Sequence, residues 1–85
     1  STPVINREEK NRKDEIVETV FLGLRLKEGI DFRKFEERFC ASIWDIYGEK
    51  LDRLMRLGLL EKSKDHIRLT PYGMDISNQV FVEFL

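Results

Sequence analysis

Apolar side chains recur at three- and four-residue intervals between about Asn11 and Lys27, so that Ile16, Val17, Val20, Phe21 and Leu24 share one helical face. The spacing predicts a helix over that stretch, stopped by Gly29. Asp31 stands where an N-cap belongs, able to accept from the free backbone N–H groups of "FRKFEERF". A short second helix burying Phe32, Phe35 and Phe39 should follow. After a break around "CASIWD", the stretch "IYGEKLDRLMRLG" predicts a third helix. It turns Tyr47, Leu51, Leu54 and either Met55 or Leu57 inward and leaves Gly58 for the left-handed C′ position. The period then changes. In "LLEKSKDHIRLT" two apolar-containing runs flank the polar "KSKDH", the pattern of a β-hairpin with a four- or five-residue loop, and Leu60, Ile67 and Leu69 should point to the core. Thr70 and Pro71 supply an N-cap and a first-turn proline for a last helix that runs to the end and buries Ile76, Val80 and Phe84.

This order predicts an α+β fold, mostly helical, of winged helix-turn-helix type: three helices, a β-hairpin wing and a closing C-terminal helix. The opening "STPVINREEKNRKDE" carries a proline, many charges and little apolar content before Ile16. Residues 1–14 are therefore expected to be a linker or the end of a preceding domain, and residues 15–85 an accessory domain. A start at Ser1 rather than methionine suggests a piece of a longer protein.

Composition narrows the chemistry. With 85 residues, one core is expected. Fifteen basic against sixteen acidic residues, a net charge of −1, give no global field toward a polyanion or an anionic membrane. Cys40, the single cysteine, excludes an internal disulfide and a thiolate cluster site, and no apolar run approaches the ~20 residues that span a bilayer. A cytoplasmic setting is expected. His66, the one histidine, has no ligand-spaced partner and reads as a solvated turn residue; Cys40, beside Ala41 at the end of a Phe-rich helix, reads as a partly buried structural thiol. No catalytic, cofactor or metal residue is expected on this chain. DNA binding is the rival reading, because Lys62, Lys64, His66 and Arg68 make the wing basic. Against it, Glu49 and Asp52 interrupt Lys50, Arg53 and Arg56 on the third helix.

Two helices carry more apolar residues than one face holds. If the Ile16 stripe faces the core, 100° per residue sends Leu22 and Leu26 to the opposite side with Arg25 beside them. On the last helix Met74, Phe81 and Leu85 form a second stripe. Leu22, Arg25, Leu26, Met74, Phe81 and Leu85 are thus candidates for a docking interface; the alternative is a wide core-facing sector on each helix.

The ordered set "LGLRLKEGID", "GLLE", "RLTPYG" and "NQVFVEFL", spread over about residues 15–85, resembles the C-terminal domain of oxygen-independent coproporphyrinogen III oxidases and their heme-chaperone relatives. Cys40 departs from the resemblance, since the family commonly has glycine at the end of that helix. The resemblance implies a parent that is a radical S-adenosylmethionine protein, its catalytic barrel carrying a CxxxCxxC motif for a 4Fe-4S cluster, which none of these residues supplies. It implies, as activity, oxidative decarboxylation of coproporphyrinogen III or heme delivery. It also implies that this domain follows the barrel and packs on it, with porphyrin or heme reached through the parent.

Overall fold

The computed structural model describes residues 11–85, in the order α1 (Arg12–Leu24), β1 (Ile30–Asp31), α2 (Phe32–Phe39), α3 (Ile43–Arg56), β2 (Leu60–Lys62), β3 (His66–Leu69), α4 (Pro71–Asp75) and α5 (Ser77–Val82). The fold is α+β and mostly helical, with a small antiparallel sheet of order β1-β3-β2. Of the expected 1–14 linker, residues 1–10 lie outside the described residues. Arg12 already begins α1, capped by the Asn11 side chain, which accepts from the Asp14 N–H at 2.9 Å.

α1 ends earlier than its apolar spacing suggests. The Leu26 N–H donates to the Gly23 carbonyl, three residues back, which tightens the chain out of the helix at Arg25. Gly29 then lies five residues past the helix with φ 85°, where a Cβ would run into the Ile67 carbonyl oxygen. That close approach brings the chain onto the sheet edge and forms β1, a strand too short for sequence alternation to reveal. Ile30 pairs with Ile67 and Asp31 with His66; on the other side of β3, Leu60 pairs with Leu69 and Glu61 with Arg68.

Asp31 caps α2 as expected, accepting from the Arg33 and Lys34 N–H groups at 2.9 and 3.0 Å. α3 starts inside the expected break: Ser42 accepts from the Trp44 N–H at 3.1 Å, and "SIWD" is a first turn with Asp45 at its acidic position. The irregularity falls inside the helix instead, at Tyr47 (φ −124°, ψ 18°). Gly58 takes the left-handed position beyond α3, with φ 79°. Leu57 is exposed, so Met55 is the side chain packed against the core. The hairpin loop is only Ser63 to Asp65, since Lys62 and His66 both join strands, and the Asp65 carbonyl accepts from the Phe32 N–H at 2.9 Å. Thr70 caps α4, its hydroxyl accepting from the Gly73 N–H.

The final helix is two helices. Ile76 leaves helical geometry (φ −121°, ψ 38°), and α5 restarts on its own axis. The core gathers Val20 and Leu24 of α1, Phe35 of α2, Leu51 and Leu54 of α3, Ile67 of β3, Val80 of α5, and Phe84 just beyond α5. Phe84 meets Tyr47 edge-on, with ring centroids 5.0 Å apart, so the turn that ends α5 is pinned to α3.

Candidate functional site

α1 gives the surface its character. Leu22 is 58% and Leu26 52% exposed, as the spacing of the Ile16 stripe requires. Met74 on α4 and Leu85 beyond α5 are exposed too. Phe81 corrects the expectation. It is 8% exposed, and its ring lies 5.0 Å from that of Phe21, centroid to centroid. The Arg25 guanidinium sits 5.2 Å above the Phe81 ring. The reason is the break at Ile76: α5 lodges between two helices, so Val80 and Phe84 face the core while Phe81 closes against α1. Its buried sector is therefore wider than one stripe.

The remaining candidates do not form one continuous strip. Leu26 lines a groove of about 240 Å³ with Gly23, Ile30, Phe35, Arg38 and His66, on the side of α1 that faces β1 and α2. Leu85 lines a different groove with Asn11, Lys13, Asp14 and Val17, at the start of α1. Between them, Arg25 and Phe81 tie α5 down.

The polar candidates also find partners. His66 is no turn residue: it opens β3, half-buried, with Nε2 3.5 Å from the Asp31 carboxylate across the strand pair. The Lys34 N–H holds the Asp31 carboxyl below its ordinary value of 3.8, against a smaller opposing effect of desolvation, helped by the Arg33 N–H and the charge of His66. Burial pushes the Tyr47 phenol up. On the hairpin, Arg68 pairs with Glu61 at 2.8 Å and the Lys62 ammonium lies 5.1 Å from the Trp44 ring centroid. On α3, Arg53 pairs with Glu83. Cys40 is exposed, not partly buried. It takes the left-handed conformation (φ 56°, ψ 31°) at the end of α2, which turns its side chain off the Phe35 and Phe39 face.

A 4Fe-4S cluster finds no ligand set on these residues. Cys40 is the single cysteine, and among the described residues no three His, Cys, Asp or Glu side chains converge to hold a metal ion. No helix among them is long and apolar enough to cross a membrane.

These features define a class: a small α+β domain whose distinguishing surface is apolar and helical. The chain belongs to the family described as the HemN C-terminal domain, whose profile matches residues 11–76. It is 40% identical over 81 residues to a protein of Lactococcus lactis subsp. lactis (strain IL1403) named "Heme chaperone HemW", covering 95% of this chain and 21% of that protein. It is 31% identical over 83 residues to the protein of the same name from Bacillus subtilis (strain 168), covering 98% of this chain and 22% of that one. The chain thus spans about a fifth of the length of these curated relatives. No solved structure matches it.

Proposed function

We propose that this chain is the C-terminal accessory domain, over residues 15–85, of a longer cytoplasmic radical S-adenosylmethionine protein, and that it docks on the catalytic barrel of that protein and shields it. Both named relatives are heme chaperones, which favours heme delivery over coproporphyrinogen oxidation as the activity of the whole. The 4Fe-4S cluster and S-adenosylmethionine then belong to the barrel, and heme is the cargo. The scaffold is winged-helix-like, a reading supported by the succession α1, β1, α2, α3, β2, β3 and by β3 at the centre of the sheet.

The observation that carries docking is the exposure of Leu22 and Leu26 on a domain whose core is already closed by Val20 and Leu24. Covering each leucine with a partner contributes about 1.5–3 kcal/mol before the cost of ordering the interface. Arg25, fixed over Phe81, offers a cation beside them, and Met74 and Leu85 extend the apolar surface onto other elements.

The test is a double substitution, Leu22→Ser with Leu26→Ser, in two contexts. In the 85-residue chain it should leave the denaturant midpoint almost unchanged, since surface substitutions stay within about 0.5 kcal/mol. In the full-length protein it should loosen the domain and speed limited proteolysis in the segment before Ile16. Equal cleavage rates in wild type and variant would place docking elsewhere.

A further inference from the structure

The two flanks of the docking face differ in charge. Rotation by 100° per residue sets Arg25 beside Leu22 on the flank of α1 that meets α5, and Leu26 on the flank that meets β1 and α2. On the Leu26 flank the charges are mixed, because Lys34 and Arg38 line that groove together with Glu28 and with Asp31, which faces His66. On the other flank no carboxylate pairs with Arg25 among the described residues. Glu18, two turns earlier on the same helix, has an interaction of its own.

Arg25 is exposed, yet it is held in place. Its guanidinium lies 5.2 Å from the centroid of the Phe81 ring, which is itself buried against Phe21. A ring cancels no charge, and a guanidinium brings five N–H donors in a fork that matches a carboxylate with two parallel hydrogen bonds. Much of the cost of ordering this long side chain is therefore met inside the domain before any partner arrives. Leu22, on the same face, is 58% exposed, so an element that covers it also takes Arg25 out of water. A cation buried without a counter-charge is strongly unfavourable, and that requirement falls on the covering element.

We propose that the element covering Leu22 and Leu26 presents an Asp or Glu carboxylate among apolar residues, and that this carboxylate closes on Arg25. The occupant is a stretch of the parent chain ahead of this domain. Most of each curated relative lies outside the region this chain matches, and the family is named for the C-terminal end, so a long preceding stretch stands ready to supply it. The inference rests on the docking reading above and adds the chemistry of the partner.

The first measurement uses Arg25→Lys in the full-length protein, treated with a water-soluble carbodiimide, which joins an ammonium to a carboxylate in contact with it. Peptide mass spectrometry should find an amide between the side chain at position 25 and an Asp or Glu of the sequence ahead of Ser1. A link only to Glu18 or Glu28, a link to a second copy of the chain, or no link overturns the proposal. The second measurement is limited proteolysis of the full-length protein before Ile16. Arg25→Met keeps an unbranched stem on the Phe81 ring and should speed cleavage about tenfold, as loss of a charge-assisted pair requires; Arg25→Glu should speed it further. Equal cleavage of wild type and both Arg25 variants overturns the proposal. So does a fall in the urea midpoint of the 85-residue chain with Arg25→Met large enough to account for the faster cleavage, since Arg25 would then only tie α5 down. Leu22→Ser with Leu26→Ser reports docking without touching Arg25. Faster cleavage there, with wild-type rates in the Arg25 variants, keeps the docking surface and removes the carboxylate; wild-type rates throughout remove both.

Discussion

Phe81→Ala separates a core side chain from a surface one by a wide margin. The ring is 8% exposed, stacks against Phe21 and carries the Arg25 guanidinium, so truncation removes the burial of the ring, an aromatic pair and a cation–π contact together. Phe→Ala in a core costs about 3–5 kcal/mol, and the position of Phe81 near the chain end, where α5 can partly collapse, argues for about 3. A domain of 85 residues holds a total of about 4–13 kcal/mol, so the variant surrenders about a fifth of its stability or more. With a urea m-value of about 1.5 kcal/mol/M, the midpoint falls by about 2 M. The assay is equilibrium urea unfolding followed by fluorescence of Trp44, the single tryptophan, which packs edge-on to Phe32 and reports loss of the α2–α3 contact. Phe81→Leu should keep most of the burial and cost about 1–2 kcal/mol, the worth of the ring pair and the cation. A Phe81→Ala midpoint equivalent to less than about 0.5 kcal/mol of destabilisation would put the ring back in solvent and refute the packing of α5 on α1.

Three further outcomes are expected. Cys40→Gly should raise stability by about 0.5–1 kcal/mol in the same urea assay, because it relieves a left-handed non-glycine residue, less the extra chain entropy of glycine. Gly29→Ala should cost about 2–4 kcal/mol, combining strain at φ 85° with a Cβ driven into the Ile67 carbonyl, and a loss below 1 kcal/mol would contradict the seating of β1. Asp31, whose carboxyl is depressed below 3.8 in the folded chain, contributes stability that is present above that value and lost as pH falls through it toward the lower folded value. Thermal melts between pH 5 and 2.5 should therefore show a steeper acid decline for wild type than for Asp31→Asn, which keeps a capping oxygen but no titrating charge.

Much of the fold was legible because two helix starts are written in capping residues, Asp31 and Thr70 before Pro71, which do what their chemistry suggests; the Ser42 cap of α3 was not read, and α5 starts without a side-chain cap. The hairpin was legible from the change of period, with Leu60, Ile67 and Leu69 buried as their alternation requires. Three features were not. β1 is two residues long and owes its existence to Gly29 meeting Ile67, a contact between distant parts of the chain. The break at Ile76 has no proline or glycine to announce it, and it carried Phe81 from an expected surface stripe into a helix–helix contact. The partner of His66 was hidden for the first reason, since Asp31 stands opposite it only once β1 exists. On the candidate site, Leu22 and Leu26 were readable from rotation alone.

The sheet has outer strands of only two and three residues, and β1 passes without a spacer into α2. An incoming peptide would find no run of free N–H and C=O groups long enough to add itself as a further strand. A partner of this domain must therefore recognise it through side chains and not by strand addition, so that a single substitution can alter affinity without disturbing the backbone ladder.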